Sequence, residues 1–311
     1  MARKHAFVTG ATGYIGRAAV AAFLAADWSV TALVRGAGAD WPAGVSRVVG
    51  TLDDVREWGA VAKTCDVVVN LAFPSHAAGW FAAVEAEATY LTALADVLRG
   101  GRARLLLANG TAFLGDDGGG RHAPSAPIDP AHPAAVRAAN TAPASYPGLS
   151  VTELRLASFI YGAGGSVFLP VLLAEARRSG ESLCVGDGDA RASTLDVRAA
   201  GRACVAAAER GRAGATYHVA GDEEPRVRDI AHAVAIAAGA RVRHVDAEEA
   251  ARRLDPFTAA FLTLNNRLDS SLARAELGWS GATDVPLLWD VAYGSYARSR
   301  DASPPPIRPA T

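Results

Sequence analysis

The sequence has 311 residues, of which 50% are hydrophobic and 20% charged, and its formal net charge is -1. This apolar content suffices for a sizeable core and argues against a largely disordered chain. A net charge close to zero gives no electrostatic reason to expect a nucleic acid or an anionic membrane as partner. No apolar run approaches the length of about 18 residues that suggests a membrane span. We therefore expect no nucleic-acid partner and no membrane partner.

The three cysteines, Cys65, Cys184 and Cys204, are widely spaced and form no Cys-x-x-Cys motif. An odd and scattered set is typical of reduced thiols, and it argues against a disulfide framework or a zinc site. The first apolar run is interrupted at Gly10 and Gly13, which argues against a signal peptide. We therefore expect a cytoplasmic protein without a bound metal.

The first half of the sequence alternates short β-rich segments with longer helical segments. We predict strands at 5–10, 29–35, 45–52, 66–72 and 103–111, with helices at 16–27, 54–64 and 79–99. Continuous apolar runs separated by helices are typical of buried parallel strands. The predicted fold class is therefore α/β, with a Rossmann-type doubly wound parallel sheet.

The second half begins with a segment at 115–133 that is rich in glycine and proline and predicts a long loop. We then predict a helix at 133–142, a strand at 150–162, helices at 168–180, 197–210, 227–238 and 269–277, and short strands at 182–188 and 215–221. The predicted organisation is a dinucleotide-binding domain at 1–162 and a smaller C-terminal substrate lobe at 163–295, interleaved with the last sheet strands. Residues 296–311 are predicted to be a disordered tail.

Three glycines, Gly10, Gly13 and Gly16, stand where the first predicted strand turns into the first helix. Such a turn presents unpaired N–H groups at the positive end of the helix dipole, where a pyrophosphate binds if no side chain blocks its approach. The βαβ context predicts dinucleotide binding, and a purely structural turn is the alternative. The predicted binding residues are Gly10, Thr12, Gly13, Tyr14, Ile15 and Gly16.

The residue at the end of the second strand predicts which dinucleotide is bound. An acidic residue about twenty positions beyond the glycines would bind a ribose 2′-hydroxyl and select NAD. This strand ends with Val34 and Arg35, and a guanidinium is a planar donor suited to a 2′-phosphate. We therefore predict NADP as the cofactor. A solvated arginine at a strand end is the alternative.

Together with the glycine motif and Arg35, the segments Gly-Thr-Leu-Asp-Asp at 50–54 and Val-Val-Asn-Leu-Ala at 68–72 resemble the extended short-chain dehydrogenase/reductases. That family includes nucleotide-sugar epimerases and dehydratases and 3β-hydroxysteroid dehydrogenases. Later parts of the sequence also resemble this family, namely the segments at 154–165, 216–231 and 272–279. The resemblance therefore covers about residues 5 to 290. It implies a Rossmann domain and a small lobe with the substrate between them. It also implies cofactor contacts at Thr51, Leu52, Ala72 and Phe73.

The resemblance fails at the residues that carry the family's chemistry. Its members use a tyrosine four residues before a lysine that holds the nicotinamide ribose, with a serine or threonine on the preceding strand. None of the seven tyrosines here has a lysine four residues later, and the lysines are only Lys4 and Lys63. The expected helix, near 132–140, is mostly alanine. The chain is therefore similar to the atypical members that lack the Tyr-x-x-x-Lys pair.

Other residues must then supply the catalytic groups. The predicted catalytic residues are Tyr161, Thr111, Asn109 and His132. We expect Thr111 and Tyr161 to end consecutive sheet strands and to face the nicotinamide. Their structural alternatives are a strand-end threonine and a packed aromatic ring, and a loop histidine such as His132 or His122 is often only solvated. Arg137 is a further candidate for the missing cation, although a solvated helix arginine fits the sequence equally well.

The function predicted first is an NADP(H)-dependent reductase acting on a small organic carbonyl, imine or activated alkene, such as a secondary metabolite. A second prediction keeps the enzyme without net redox chemistry, as an isomerase, dehydratase or cyclase. A third is an NADP-sensing regulatory protein of the same fold. The resemblance also allows a homodimer in which the helices at 79–99 and 133–142 pair.

Overall fold

The computed structural model of the chain describes residues 3–36, 41–74, 77–283 and 285–298. The strands in these ranges are β1 His5–Thr9, β2 Ser29–Val34, β3 Val45–Val49, β4 Val67–Asn70, β5 Arg104–Asn109, β6 Val151–Leu156, β7 Phe159–Tyr161, β8 Glu181–Val185, β9 Thr194–Asp196, β10 Thr216–Val219 and β11 Arg241–Val245. The helices are α1 Tyr14–Ala25, α2 Val55–Thr64, α3 Trp80–Leu98, α4 Ala135–Thr141, α5 Leu169–Ser179, α6 Val197–Arg210, α7 Val227–Ala238, α8 Ala247–Arg253, α9 Pro256–Phe261, α10 Ser271–Leu277, α11 Leu287–Tyr293 and α12 Ser295–Arg298. Of these helices, none is both long and apolar enough to span a membrane.

Seven strands form one parallel sheet in the order β10-β6-β5-β4-β1-β2-β3. The chain runs outward from β1 through β2 and β3 and then returns to β4 on the other side of β1. The strand order therefore reverses between β1 and β4, and in such sheets ligands bind outside the carboxyl ends of the strands at this reversal. The predicted α/β fold with a doubly wound parallel sheet is confirmed.

Helices cover both faces of the sheet with apolar side chains. On one face, α6 packs directly on α1, since a Cβ atom on Gly201 would lie 2.4 Å from the carbonyl oxygen of Ala18. On the other face, α2 and α3 pack on the sheet, with the Trp58 ring stacked on Phe7 at 5.2 Å between centroids. The apolar contacts of these helices with the sheet hold α1 in place. Its N-terminus faces the point where the strand order reverses.

Residues after β6 build a second apolar core beside the main sheet. Its centre is a group of aromatic rings in which Phe168 stacks on Phe261 at 4.4 Å, with Phe159 packed at their side. Two small parallel sheets, β7 with β9 and β8 with β11, flank this core. Because β10 belongs to the main sheet and β11 to a small one, the two parts of the fold are interleaved along the chain.

The single strand predicted at 150–162 is wrong, because the chain forms two strands there. β6 lies in the main sheet, whereas β7 pairs only with β9, and the backbone bends at Ala157 and Ser158 between them. The bend contains no proline or glycine, so the sequence gives no clear sign of it. Consequently Thr111 and Tyr161 do not follow consecutive strands of one sheet.

The predicted tail begins too early at residue 296. Residues Ser295–Arg298 form α12, and the Tyr296 side chain is 1% exposed. Its hydroxyl donates a hydrogen bond to the carbonyl of Gly165 and accepts one of 2.9 Å from the Gly162 N–H. The rest of the predicted tail, 299–311, lies outside the described residues.

We predict that Tyr296→Ala destabilises the protein by about 3–5 kcal/mol, because it leaves a large cavity and two backbone groups without their partner. Tyr293→Ala is the matched control, since Tyr293 is 58% exposed and its loss should change the free energy of unfolding by only about 0.5 kcal/mol. Chemical denaturation of both variants measures the difference. Equal stability of the two variants would contradict a buried role for Tyr296.

Candidate functional site

The N-terminus of α1 is open toward the carboxyl edge of the sheet. Gly13 occupies the N-cap position, and no described side chain caps the helix. The Gly13 N–H bonds to the carbonyl of Gly10 at 2.9 Å, and the N–H groups of the following first turn have no acceptor within the helix. These groups stand at the positive end of the helix dipole, which favours an anion.

The three glycines of this turn serve different physical purposes. Gly10 has a φ of +68°, and a Cβ atom there would lie 2.6 Å from the carbonyl of Leu71, so this position needs glycine for the turn itself. A Cβ on Gly16 would lie 2.0 Å from the Gly10 carbonyl oxygen, so Gly16 lets α1 approach the end of β1. A Cβ on Gly13 would meet only the Gly10 carbonyl oxygen, at 3.1 Å, among the described atoms. The space above Gly13 is therefore open, as a bound pyrophosphate requires.

The other predicted residues of this turn differ in what they contact. The Tyr14 hydroxyl donates a 2.7 Å hydrogen bond to the carbonyl of Gly162, and its ring fills the space over Gly165. Burial raises the pKa of Tyr14 well above its usual value. Tyr14 thus joins α1 to the loop after β7. Thr12 is exposed and Ile15 is half-buried at the mouth of the turn.

Two further loops lie at the carboxyl ends of β2 and β3. Arg35 is exposed at the end of β2, and within the described chain it has no hydrogen-bond or ion-pair partner. After β3, the Thr51 hydroxyl donates to Asp54 at 2.7 Å and Trp58 donates to the Thr51 carbonyl at 2.8 Å. These bonds fix the turn that begins at Leu52.

The end of β4 lies directly beside the glycine turn. A Cβ atom on Gly10 would be 2.7 Å from the Ala72 nitrogen, so Ala72 borders the turn closely. At the ends of β1 and β4, the Thr9 hydroxyl donates to the Asn70 side-chain oxygen at 2.6 Å, and the Tyr90 hydroxyl donates to the same oxygen. Phe73 follows at the rim, where its ring packs against that of Trp80 at 5.4 Å.

Arg137 of α4 is fixed at this edge and is not a solvated helix arginine. Its side chain is 15% exposed, and it donates bonds of 2.7–3.1 Å to both carboxylate oxygens of Glu87, which is fully buried. Its Nη1 donates to the side-chain oxygen of Asn109 at 2.7 Å, and Nη2 reaches the carbonyl of Ala108 at 3.4 Å. The guanidinium carbon lies 4.6 Å from the centre of the Phe73 ring, in a cation–π contact.

Asn109 connects Arg137 to a second buried ion pair. The Asn109 amide donates to the Thr141 hydroxyl at 2.8 Å, and Thr141 donates to Glu153 at 2.7 Å. Glu153 also accepts a 3.0 Å bond from Arg155, and burial is the main cause that raises the pKa of Glu153. Asn109 thus has its side-chain groups bound by neighbours and acts as a spacer between two charged pairs.

Thr111 is buried rather than open to a substrate. Its hydroxyl donates to the side-chain oxygen of Asn266 at 2.8 Å, and the Ser158 hydroxyl lies 3.0 Å away. Asn266 is 1% exposed and also donates to the Thr111 carbonyl at 3.1 Å. Only Ser158 of these three is half-buried rather than buried, so its hydroxyl lies nearest to solvent.

Tyr161 does not face the crevice as predicted. Its side chain is 1% exposed, and its hydroxyl donates to the carbonyl of Val285 at 2.9 Å. Burial raises the pKa of Tyr161 well above its usual value, which makes the phenol a weaker acid. The bend before β7 removes Tyr161 from the main sheet and is the physical reason for this correction.

His132 lies in the loop directly before α4 and is half-buried. The Ala134 N–H donates to its Nδ1 at 3.1 Å, so in the neutral ring the proton is on Nε2. Burial lowers the pKa of His132 below its ordinary value, which favours this neutral form. His122, in the same long loop, approaches the Gly115 carbonyl at 3.2 Å and belongs to the packing of that loop.

The sequence reasoning missed Glu87 and Asn266. Glu87 shares its helix face with Ala83, Tyr90, Leu91 and Leu94, all buried against the sheet. A buried carboxylate is costly unless it is paired. The position of Glu87 on the apolar face of the predicted helix therefore indicated a buried partner. Asn266 lies in a segment without strong periodicity and is 155 residues from its partner Thr111, and the sequence holds no local signal for that contact.

The comparisons with known proteins agree with this geometry. A family model described as the NAD dependent epimerase/dehydratase family matches residues 6–220. The uncharacterized protein C2A9.02 of Schizosaccharomyces pombe is 30% identical over 293 residues, which cover 93% of this chain and 99% of that protein. A 4-hydroxy-2-methyl-3-oxo-4-farnesyl-3,4-dihydroquinoline-1-oxide ketoreductase of Stigmatella aurantiaca is 31% identical over 232 residues, which cover 68% of this chain and 66% of that enzyme.

A solved structure also matches the fold. The dTDP-glucose 4,6-dehydratase of Bacillus anthracis in complex with NAD superimposes with a TM-score of 0.74 at 16% identity, over 96% of this chain and 97% of that one. A parallel sheet whose strand order reverses beside an open glycine turn defines a dinucleotide-binding class of fold. Within that class, the chain belongs to the NAD dependent epimerase/dehydratase family.

We predict that Gly13→Val abolishes dinucleotide binding and leaves the fold nearly intact, because its methyls would occupy the open space above the turn. Gly13 has extended backbone angles (φ -73°, ψ 172°), which valine adopts readily. Gly16→Ala is the contrasting variant, since its methyl would overlap the Gly10 carbonyl and destabilise the protein by about 1–3 kcal/mol.

Fluorescence titration with NADPH and thermal unfolding of both variants separate the two roles. Normal NADPH binding by Gly13→Val would contradict the assignment of the turn as the pyrophosphate site.

Proposed function

We propose that this chain is an NADP(H)-dependent reductase that acts on a small organic carbonyl, imine or activated alkene. The observation that carries the proposal is the open N-terminus of α1 at the strand reversal, with Arg35 exposed and unpartnered at the end of β2 in the described chain. A turn of this kind binds a pyrophosphate, and a guanidinium in that position suits a 2′-phosphate better than a ribose diol.

The residues present fit this dinucleotide. Gly10, Gly13 and Gly16 shape a cradle that a Cβ atom would fill, and the amides after Gly13 point into it. In the proposed arrangement, Arg35, Thr51 and Leu52 border the adenosine half, and Ala72 and Phe73 border the nicotinamide half. The cofactor, when bound, supplies a hydride at the nicotinamide ring.

The predicted catalytic hydroxyls are bound to other protein groups, which favours proton transfer from water. Tyr161 and Thr111 each donate their hydroxyl proton to a protein acceptor, so neither proton is free for a substrate. His132, neutral with its proton on Nε2, is the remaining ionisable candidate near α4. Because Thr111 and Tyr161 are buried away from the crevice, the substrate oxygen would take its proton from water.

The relative from Stigmatella aurantiaca supports a reductase in particular, because its name describes a ketoreductase. A substrate would lie between the carboxyl ends of β4 and β5 and the C-terminal part of the fold, near the Ser158 hydroxyl. The proposed substrate class is accordingly a small organic molecule with a reducible carbonyl, imine or activated alkene.

We expect NADPH to bind more tightly than NADH, and Arg35→Ala to remove most of that preference. One bidentate contact between guanidinium and phosphate contributes about 1.5–3 kcal/mol, or roughly 10- to 100-fold in affinity. Fluorescence titration of both cofactors against both proteins measures the preference. Equal affinity for NADPH and NADH in the unmodified protein would contradict the choice of cofactor.

The phenol of Tyr161 should not set the rate. We expect Tyr161→Phe to keep the rate of NADPH oxidation within about 3-fold and to leave the pH–rate profile unchanged, because the hydroxyl is bound to the Val285 carbonyl. The profile of the unmodified enzyme should lack the rise that an acidic tyrosine would produce. Steady-state assays from pH 5 to 10 with a panel of aldehydes, ketones, quinones and imines provide the test. A rate loss of about 100-fold in Tyr161→Phe would return this residue to the mechanism.

A non-redox isomerase, dehydratase or cyclase is the second candidate, favoured by the fold match to a dehydratase that binds NAD. The two candidates differ in their use of cofactor. A reductase consumes NADPH in proportion to product, whereas the second class forms product without net consumption. Absorbance of NADPH followed together with product analysis distinguishes them.

A further inference from the structure

The aromatic stack of the second core ends in an exposed ring. This stack consists of Phe159, Phe168, Phe257 and Phe261. Phe257, on α9, lies over Phe168 at 5.8 Å between ring centroids and 20° between ring planes. It is 43% exposed, whereas the other three rings are buried. Phe168 covers one face of Phe257, so the exposed area of Phe257 belongs to its other face and its edge.

The aromatic stack is attached to the candidate site through two short segments. It begins one residue after Ser158, whose hydroxyl lies 3.0 Å from that of Thr111, just after β5. Its second ring follows Gly165 by three residues, and Gly165 lies against the Tyr14 ring at the start of α1. The stack therefore borders the crevice from its C-terminal side.

The segments that carry Phe168 and Phe257 contain no charged residue. They are residues 162–173, which lead into α5, and residues 256–264, which include α9. In the first of them Val167 is also exposed, by 47%. A phosphate group is bound by cations and N–H donors, whereas an apolar ring needs only apolar contact. The two segments therefore suit an apolar group of a ligand and offer no cation to a phosphate.

Phe257 differs from an isolated apolar residue on a surface. Single exposed apolar side chains are common and indicate no function by themselves. The Phe257 ring instead extends a buried stack that borders the crevice, and the stack fixes its orientation. An aromatic ring on a fixed aromatic ring adds about 2- to 12-fold in affinity beyond the effect of burying its area.

We propose that Phe257 stacks on an aromatic ring of the substrate, so that the substrate class is an aryl-substituted carbonyl compound. Two ring-to-ring steps separate Phe257 from Phe159, the residue next to Ser158. The aromatic ring of the substrate is therefore joined to its carbonyl through a spacer. This assignment rests on the proposed reductase and narrows its substrate class.

The test uses two ketones that differ in one ring: benzylacetone, and the analogue in which cyclohexyl replaces phenyl. Their dissociation constants are measured by ligand-observed NMR titration of the protein with NADP⁺, and NADPH oxidation is followed by absorbance. We expect benzylacetone to bind about 2- to 12-fold more tightly than its analogue. Because the saturated ring is also apolar, this preference reports stacking rather than burial alone.

Three variants assign the preference to one ring. Phe257→Leu keeps an apolar side chain without a ring, so the two ketones should bind equally within about 2-fold. Phe257→Tyr keeps the ring and should keep the preference for benzylacetone. Trp289→Leu is the matched control, since Trp289 is a 52% exposed aromatic residue on α11 outside the stack, and it should leave the preference unchanged. Because Phe257 is already exposed, its variants should unfold at nearly the temperature of the unmodified protein.

The outcomes distinguish this inference from the function on which it rests. A preference for benzylacetone that Phe257→Leu removes and Phe257→Tyr keeps supports the inference. Binding of neither ketone, equal binding of both by the unmodified protein, or a preference that survives Phe257→Leu overturns it while the proposed cofactor site stands. If benzylacetone binds with the expected preference but no carbonyl compound causes NADPH oxidation, the proposed reductase fails and the aromatic subsite stands.

Discussion

The close approach of α1 to the end of β1 is the contact on which the candidate site depends. Gly16 lies so near the Gly10 carbonyl that any side chain there would overlap it, and Gly10 in turn lies against Leu71 at the end of β4. This packing aims the open end of α1 at the point where the strand order reverses. The proposed pyrophosphate site is thus a consequence of backbone geometry, and it needs no charged side chain.

Buried charge organises the opposite half of the crevice. Arg137 with Glu87 and Arg155 with Glu153 are two ion pairs inside the fold, joined through Asn109 and Thr141. Buried charges must be paired, and such a pair contributes more to fixed geometry than to stability. The network therefore holds the edge of β5 in one arrangement, with an arginine donor at its surface.

The loop after β7 connects this site to the C-terminal part of the fold. Tyr14 from the first helix and Tyr296 from the last described helix both bond to the segment Gly162 to Gly165. Glycines are needed there because a Cβ atom on Gly165 would lie 2.3 Å from the Tyr14 ring. The first helix and the last described helix thus meet beside the glycine turn.

The fold and the glycine turn could be predicted from local features of the sequence. The surroundings of Tyr161 and Arg137 could not, because they depend on contacts between residues far apart in the chain. The helices at 197–210 and 227–238 agree with α6 and α7 because their apolar periodicity and end signals are local. The bend at Ala157 and Ser158 has no such signal, and Tyr161 was misplaced as a result. The sequence left Arg137 open between a site cation and a solvated helix residue, because its partner Glu87 is 50 residues earlier in the chain.

The central claim is that this chain binds a dinucleotide across the strand reversal, with its pyrophosphate on the N-terminus of α1. A crystal structure of the complex with NADPH tests it most directly. The account predicts pyrophosphate oxygens within hydrogen-bonding distance of the amides of Tyr14 and Ile15, with Arg35 at the 2′-phosphate and with Ala72 and Phe73 beside the nicotinamide half. A dinucleotide bound away from the Gly10–Gly16 turn, or reversed so that its adenosine half lies beside Phe73, would contradict it.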